Sequence, residues 1–341
     1  MSADFYKVKA FSPKRDVTEI FPEFRVIKSR DLMIRGGKFY AVWNEETGMW
    51  SQDEYVVQQM VDRDLMELAD QYNDISDTRK VIKLMIDDST GSWRRFRKYA
   101  SNLPDNSHEL DAKLTFSETP VIKKDYVSKR LGYPLAEGSH EAWDELVGTL
   151  YLPEEREKIE WAIGAVVSGD SRDIQKFLVF YGDPGHGKGT ILGIIRNMFG
   201  PYTASFDAGE LTGIGSSFPM EQFRNNPLVA IQFDGDLSHI ASNTRLNSLV
   251  SHEPMMMKEK FKSSYDFVPH AFLFLASNEP VKITSAKSGI IRRLIDVTPS
   301  MQKIPTKRYF QLMHQVEFKA RAVLSTTLST AMTSRMARST P

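Results

Sequence analysis

The sequence predicts an α/β protein whose core is a mainly parallel sheet, and two observations carry this prediction. From Lys176 onward, short apolar strands alternate with segments of helical periodicity, which is typical of a parallel sheet covered by helices. Upstream, hairpin signals are mixed with amphipathic helical patterns, which predicts a mostly helical α+β region at the N-terminus. A helical tail is expected at the C-terminus.

The length of 341 residues corresponds to about two domains. We expect an N-terminal mixed α+β domain over 1–105, a connector over 106–142, the α/β domain over 143–300 and a basic helical segment over 301–341. From Lys303 to the end the chain has seven Lys/Arg and one acid. Such a tail is most often a solvated helix face, and contact with nucleic acid is the alternative.

Composition excludes several classes of protein. Lys and Arg number 44 and so do Asp and Glu, so the net charge is zero and bulk electrostatic coating of DNA is not expected. The absence of cysteine excludes disulfides and thiolate zinc sites. The longest apolar runs are too short to cross a bilayer, and the N-terminus lacks signal-peptide features. We therefore expect no membrane partner and a cytoplasmic location.

The N-terminal region begins with hairpin and helix signals. The stretch "KFYAVWNEETGMWS" predicts two short strands around a turn at 44–48. Ser51 and Glu54 have the spacing of a capping box for a helix that follows. The apolar face predicted for that helix consists of Val57, Met60, Val61, Leu65 and Leu68.

A second helix is predicted over "GSWRRFRKYA". Trp93, Phe96 and Tyr99 recur about every three residues, and basic residues lie between them. The pattern favours an amphipathic helix that buries its aromatic side chains and exposes its charges. A basic surface that touches a phosphate backbone is the alternative.

The stretch "FLVFYGDPGHGKGTILGIIRNMFG", residues 177–200, predicts a strand, a glycine-rich loop and a helix. Glycines allow backbone N–H groups to surround an anion at a helix N-terminus, and Lys188 would reach the β- and γ-phosphates. A glycine turn without a ligand is the less favoured alternative. The candidate ATP-binding residues are Gly182, Asp183, Pro184, Gly185, His186, Gly187, Lys188, Gly189 and Thr190.

One position departs from the usual phosphate-loop pattern G-x-x-x-x-G-K-[ST]. Gly189 stands where a hydroxyl residue is expected, and Thr190 follows one place later. One residue turns a side chain by about 100° around a helix, so Thr190 does not replace that hydroxyl in place. We expect Mg²⁺ to depend more on downstream acids, with Thr190 as a further candidate ligand.

Two later strands end in polar residues. "NPLVAIQFDGD" places Asp234 and Asp236 after an apolar strand, where acids would hold Mg²⁺ and polarise an attacking water. "HAFLFLASNEP" ends in Ser277 and Asn278, and Asn278 would orient a water or sense the γ-phosphate. A simple strand-to-turn cap is the alternative for this second motif.

Arg292 and Arg293 follow a glycine in "KSGIIRRL". They are either ordinary surface residues or arginine fingers that enter the site of a neighbouring subunit. An arginine finger contributes about 10³–10⁵ in rate.

In this order and spacing, the motifs resemble those of the superfamily 3 helicases of the phage, plasmid and poxvirus primase–helicase type. The P-loop "GDPGHGKGT", the Walker B strand "VAIQFDGD", the "ASNEP" motif and the arginine pair all match. Between them, "SHEPMMMKEKFKSSYDFVP" is similar to the lysine-bearing signature of the family. The resemblance covers about 110–300.

The resemblance implies a P-loop NTPase core of AAA+-like type and an ATP-driven DNA helicase that forms a ring, usually a hexamer. Lys188 would bind phosphate, Asp234 and Asp236 would hold Mg²⁺, and Asn278 would be the sensor. Arg292 or Arg293 would be the finger that acts in trans. Lys258, Lys260, Phe261 and Lys262 would lie on a loop that grips single-stranded DNA, and a solvated charged hairpin is the less favoured alternative.

The resemblance also implies partners and a setting. We expect single-stranded and forked DNA, self-association into a ring and association with a primase or polymerase module. Primase activity itself is not expected, because no catalytic triad of a primase–polymerase is recognisable in the sequence. The location would be the host-cell cytoplasm if the protein is encoded by a phage.

Two rival functions remain open at this point. The loop also resembles the GxPGxGKGT loop of adenylate kinases, which favours a nucleoside monophosphate kinase. Gly189, in contrast, supports an inactive ATPase fold that serves as a DNA-binding platform.

Overall fold

A computed structural model of the chain describes residues 3–25, 27–73, 78–111, 114–136, 139–212, 219–235, 243–257, 265–279 and 289–318. The chain forms two compact units, one of residues 1–112 with 120–129 and the other of residues 113–119 with 130–341. The chain passes between the units inside the segment predicted as a connector. None of the described helices is both long and apolar enough to cross a membrane.

The described part of the first unit has two three-stranded sheets. Its strands are β1 (Tyr6–Lys14), β2 (Val17–Phe24), β3 (Leu32–Arg35), β4 (Lys38–Asn44), β5 (Met49–Ser51) and β6 (Arg79–Ile82). β1 and β2 pair antiparallel and β2 pairs parallel with β6, whereas β3, β4 and β5 form an antiparallel meander. The predicted β4–β5 hairpin is confirmed: the N–H of Gly48 donates to the Asn44 carbonyl at 2.9 Å, and the φ of Gly48 is +62°.

The first unit is an α+β structure, as expected. Its strands form a larger share of the unit than the mostly helical region expected from the sequence would contain. β1 and β2 were not predicted, because most residues of β1 are half-buried or exposed and the buried positions of β2 include Thr18 and Pro22. Strands of this kind lack the clear apolar alternation on which prediction depends.

The helices of the first unit are α1 (Tyr55–Asn73) and α2 (Ser92–Ser101). The predicted apolar face of α1 is confirmed, since Val57, Met60, Val61 and Leu65 are buried and Leu68 packs against them. The predicted capping box at its start is wrong. Ser51 ends β5, and the carboxylate of Asp53 accepts the Tyr55 N–H at 3.0 Å instead.

The helix α2 buries Phe96 completely and packs Trp93 and Tyr99 partly. Its basic residues Arg94, Arg95, Arg97 and Lys98 are all exposed. The favoured interpretation as an amphipathic helix is therefore confirmed for its buried face.

The second unit contains a five-stranded sheet in the order β10-β11-β14-β9-β15, and every neighbouring pair is parallel. Its described elements are β7 (Thr115–Phe116), β8 (Arg130–Leu131), α3 (Glu141–Leu150), α4 (Pro153–Ser168), β9 (Phe177–Tyr181), α5 (Lys188–Phe199), β10 (Thr203–Ser205), α6 (Ala208–Thr212), β11 (Val229–Gln232), α7 (Thr244–Val250), β12 (Met255–Met257), β13 (Tyr265–Phe267), β14 (Phe272–Ser277), β15 (Leu294–Val297) and α8 (Thr306–Phe318). The predicted mixed α/β architecture with a mainly parallel sheet is confirmed.

Both faces of this sheet are covered by helices. Leu178 and Phe180 of β9 point into a core formed with α3, α4, α5 and α8, whereas Phe177 and Val179 point into a second core with α6 and α7. Alternate residues of a strand face opposite sides, so a strand buried on both faces must be apolar throughout. This explains the continuous apolar run before the glycine-rich loop.

The predicted helical tail over 301–341 is not supported as a whole. Residues 301–318 of that range are described and α8 is the only helix among them, whereas residues 319–341 lie outside the described residues. α8 packs against α3 and α5, with Leu312 and Val316 fully buried. The basic residues Lys303, Lys307 and Arg308 are exposed, as expected of a solvated face, and the opposite face of α8 belongs to the core.

Replacing Leu65 by alanine should destabilise the first unit by about 2–5 kcal/mol, because a fully buried side chain is removed and a cavity remains. Urea unfolding followed by circular dichroism measures this change. The matched control is Met66→Ala at the next position, which is 45% exposed and should change stability by less than about 0.5 kcal/mol. Equal effects of the two changes would contradict the helix orientation.

Candidate functional site

The loop between β9 and α5, residues 182–187, follows a backbone path that requires glycine. Gly182, Gly185 and Gly187 have φ values of +144°, +82° and +89°, which L side chains rarely adopt. A Cβ on Gly187 would lie 2.8 Å from Cδ1 of Leu150, whereas a Cβ on Gly185 would meet nothing within 4 Å. The Leu150 side chain therefore fills the space beside Gly187, whereas the space beside Gly185 is open.

The helix α5 begins at Lys188, directly after this loop. Gly187 has no side chain that could cap the helix. The first helical hydrogen bond is donated by the Ile191 N–H to the Gly187 carbonyl at 3.2 Å. The N–H groups of Lys188, Gly189 and Thr190 thus precede the regular bonding of the helix. Together with the helix dipole, such N–H groups favour an anion at this end.

Lys188 places a buried ammonium group at the same point. Its side chain is 8% exposed. Its Nζ donates to the carbonyl of Gly182, to the carbonyl of Asp183 at 3.0 Å and to Oδ1 of Asn278 at 3.0 Å. Lys188 therefore connects the loop directly to the end of β14.

Burial lowers the pKa of Lys188 below its usual range, and the charges of Asp183 and Asp234 only partly oppose this shift. The cause is the loss of water around the charged form. An anion bound beside Lys188 would stabilise the charged form of the ammonium group and raise this pKa. The environment of Lys188 is therefore suited to a negatively charged ligand.

The turn after β11 carries Asp234 at the same edge of the sheet. A Cβ on the next residue, Gly235, would lie 2.7 Å from the Gln232 side chain, and the Gly235 N–H donates to the Ala276 carbonyl at 2.8 Å. The turn is thus held against β14 and leaves the side chains of Phe233 and Asp234 exposed. The second predicted acid, Asp236, lies outside the described residues.

The two polar residues of the "ASNEP" motif, at the end of β14, make different contacts. Ser277 is buried, and its Oγ donates to the Glu279 carbonyl at 2.7 Å, so this residue caps the turn. Asn278 is exposed and accepts from Lys188. The residue predicted as a sensor therefore contacts the lysine of the loop.

These groups line one cleft of about 570 Å³, a volume typical of small-molecule sites. The residues predicted from sequence that line it are Pro184, Gly185, Gly187, Lys188, Gly189, Thr190, Asp234 and Asn278. The residues that sequence reasoning missed are Leu150, Phe233, Gln302, Lys303, Ile304 and Tyr309. Most of the missed residues are distant in sequence from the loop, and no motif marks them.

The hydroxyl groups of Thr190 and Tyr309 lie 3.1 Å apart and share a hydrogen bond. Tyr309 therefore joins the cleft from α8, with the buried Leu312 and Val316 at helical spacing from it. That spacing in the predicted tail is the one signal that could have indicated a packed helix. It could not have indicated the contact with Thr190.

The structure gives the two arginines different surroundings. Arg293 is 6% exposed, and its guanidinium donates to Oγ of Ser251 at 2.6 and 2.9 Å and to the Gly289 carbonyl at 3.0 Å. Arg292 is exposed. Arg293 is thus a structural group inside the unit, whereas the side chain of Arg292 is accessible.

The predicted DNA-binding residues Lys258, Lys260, Phe261 and Lys262 lie outside the described residues. The strands on either side of them, β12 and β13, are antiparallel, with Met257 paired to Tyr265. Within the described ranges, no group of three or more His, Cys, Asp or Glu side chains is gathered where a metal could bind.

A family model described as a family of unknown function, DUF5906, matches residues 180–293. This range contains the loop, Asp234, Asn278 and both arginines. No curated protein matches the chain.

Two solved structures of the C-terminal region of NrS-1 share the fold. The first has a TM-score of 0.52 at 13% identity and the match covers 87% of this chain, and the second has a TM-score of 0.53 at 12% identity and covers 91%. The match covers 65% of the first NrS-1 chain, which is less than two thirds of its length, and 72% of the second. At such identity the likeness concerns the fold alone.

Replacing Gly187 by alanine should lower the stability of the second unit by about 1–3 kcal/mol, because the new methyl group meets Leu150 and φ is positive. Thermal unfolding measures this loss. In a Leu150→Ala background the cost should be smaller, since part of the clash is gone. Gly189→Ala is the control, because its Cβ would meet nothing within 4 Å. An equal cost at both glycines would contradict the proposed packing.

Proposed function

We propose that this chain is the ATPase part of a superfamily 3 DNA helicase that translocates on single-stranded DNA as a ring, usually a hexamer. It would act in the replication of a phage, a plasmid or a virus. One observation carries the proposal: Lys188 bonds to Asn278 in the cleft that Asp234 also lines. Three motifs that are far apart in sequence thus converge, as the chemistry of ATP hydrolysis requires.

In this proposal residues 182–190 are a P-loop that holds the phosphates of ATP. Lys188 binds the β- and γ-phosphates, and the N–H groups at the start of α5 bind phosphate oxygens. Asn278 orients the attacking water. When ATP binds, the Lys188 ammonium would exchange its hydrogen bonds to the loop carbonyls for hydrogen bonds to charged phosphate oxygens, which are stronger acceptors.

The described residues fit a Mg²⁺ ion that arrives with ATP. Mg²⁺ in such sites is usually held by one or two carboxylates and by the phosphates, and it neutralises phosphate charge when bound. Asp234 supplies a carboxylate in the cleft. Asp236 is the second acid in the proposal, and the hydroxyl of Thr190, which bonds to Tyr309, is a lesser candidate.

Arg292 is the better candidate for the finger that acts in trans. A finger must leave its own subunit and reach a neighbour's phosphate, which an exposed side chain can do. Arg293 would first have to break its hydrogen bonds to Ser251 and Gly289. The DNA-binding role remains with Lys258, Lys260 and Lys262, between β12 and β13.

A single assay separates this function from its rivals: ATP hydrolysis with and without single-stranded DNA. Stimulation by DNA is expected for the helicase. Failure to hydrolyse ATP despite binding it would favour an inactive platform, for which Gly189 is the motivating feature. Phosphoryl transfer to AMP would favour the kinase, which none of the comparisons supports.

Lys188→Ala should reduce ATP hydrolysis by about 10²-fold or more, because the ammonium group that stabilises phosphate charge is lost. Steady-state phosphate release measures the change. The matched control is Lys307→Ala, an exposed lysine of α8 outside the cleft, which should keep normal activity. Retained hydrolysis in the Lys188 variant would overturn the proposed site.

Arg292→Ala should be inactive alone and partly active when mixed with inactive Lys188→Ala, because each subunit supplies what its neighbour lacks. When equal amounts of the two variants assemble at random in a ring, about a quarter of the subunit interfaces combine an intact Lys188 with an intact Arg292. Phosphate release from mixtures measures the recovery. Arg293→Ala should instead lower the thermal stability, and mixing should not restore that loss. Activity of the Arg292 mixture equal to the average of its components would contradict action in trans.

A further inference from the structure

The cleft has two chemically different ends. Asp234 and Asn278 follow β11 and β14, which lie on one side of β9. On the other side of β9 lies β15, and the chain continues from it into residues 298–309. The loop after β9 stands between these two ends, so a molecule whose phosphates rest on the loop must extend toward one of them.

The end that follows β15 combines apolar and polar side chains. It is lined by Leu150, Ile304 and Tyr309 and by the polar Gln302 and Lys303. Tyr309 is held in place from two directions, since its hydroxyl bonds to Thr190 at 3.1 Å and Leu312 of the same helix is fully buried. The opposite end offers Asp234, whose negative charge suits a hydrated metal ion.

Hydrogen bonds of Ser300 position the segment that carries these residues. The Ser300 N–H donates to the Leu150 carbonyl at 2.8 Å, and Oγ of Ser300 donates to the Thr149 carbonyl at 2.6 Å. The same Oγ accepts the Gln302 N–H at 3.2 Å. The segment is thus attached to the end of α3, and Gln302 is placed at the cleft.

We propose that residues 302–309 hold the base of the bound nucleotide and that Gln302 selects adenine; this inference rests on the proposed ATPase function. Tyr309, Ile304 and Leu150 provide apolar contact for the base. The Gln302 amide both donates and accepts, which matches the N6–H donor and N7 acceptor of adenine. The corresponding edge of guanine has two acceptors, O6 and N7, so the amide oxygen would face one of them unfavourably.

Affinity measurements on the full chain test the proposal with three probes in the presence of Mg²⁺: ATP, GTP and inorganic tripolyphosphate. Isothermal titration calorimetry is the readout. Tyr309→Ala should weaken ATP by about tenfold and tripolyphosphate much less, because the base contact is lost together with only one hydrogen bond, to Thr190. Gln302→Ala should reduce the preference for ATP over GTP by about tenfold. Gln302 is exposed, so its replacement should not disturb folding.

A neighbour of Tyr309 in α8 provides a control. Gln311→Ala replaces an exposed residue that does not line the cleft, and it should behave as wild type. A loss of ATP affinity in Phe233→Ala without such a loss in Tyr309→Ala would place the base at the other end of the cleft and overturn the inference.

The outcomes also separate this inference from the proposed function. If wild-type protein binds tripolyphosphate as tightly as ATP, the phosphate site stands and the base site is refuted. An unchanged ratio of ATP to GTP in Gln302→Ala refutes the role of that residue. If neither ATP nor tripolyphosphate binds, the proposed function itself fails.

Discussion

Parallel pairing of β9 with β14 on one side and β15 on the other is the constraint on which the rest of the second unit depends. Strands that run in the same direction end at the same edge of the sheet. The glycine-rich loop, the Asp234 turn and Asn278 follow three such strands and therefore meet. If β14 ran in the opposite direction, Asn278 would lie at the far edge and could not contact Lys188.

Burial of the sheet on both faces determines where the helices lie. A parallel sheet of this kind requires helices above and below it, because its connections must cross back over the sheet. α5 starts at the open edge immediately after the loop, so its N-terminus faces the cleft. The close approach of Leu150 to Gly187 shows that α3 also shapes the loop. The helical region before the sheet is thus part of the candidate site.

The buried ammonium of Lys188 couples two parts of this edge. It bonds to loop carbonyls and to the Asn278 amide oxygen at the same time. Under the proposed function, a phosphate oxygen that accepts from Lys188 competes with Asn278 and frees that amide to orient water. The sensor would then respond to the ligand through an ordinary exchange of hydrogen bonds, without a larger movement of β14.

The sequence by itself determined the local features, because each of them depends on residues close together in the chain. Apolar alternation and turn residues predicted the β4–β5 hairpin, the buried face of α1 and the strands around the loop. The same logic failed where local signals were weak or had two meanings. Half-exposed strands such as β1 escaped detection, and Asp53 took the capping role that the spacing assigned to Ser51.

Only the tertiary structure decided which distant residues share the cleft and which candidate is accessible. Adjacent arginines look equivalent in a sequence, yet Arg293 is bonded to Ser251 and Arg292 is exposed. The contact of Tyr309 with Thr190 joins residues 119 apart in sequence. Such contacts arise from packing of helices around the sheet, and this packing depends on non-local burial that no short stretch of sequence encodes.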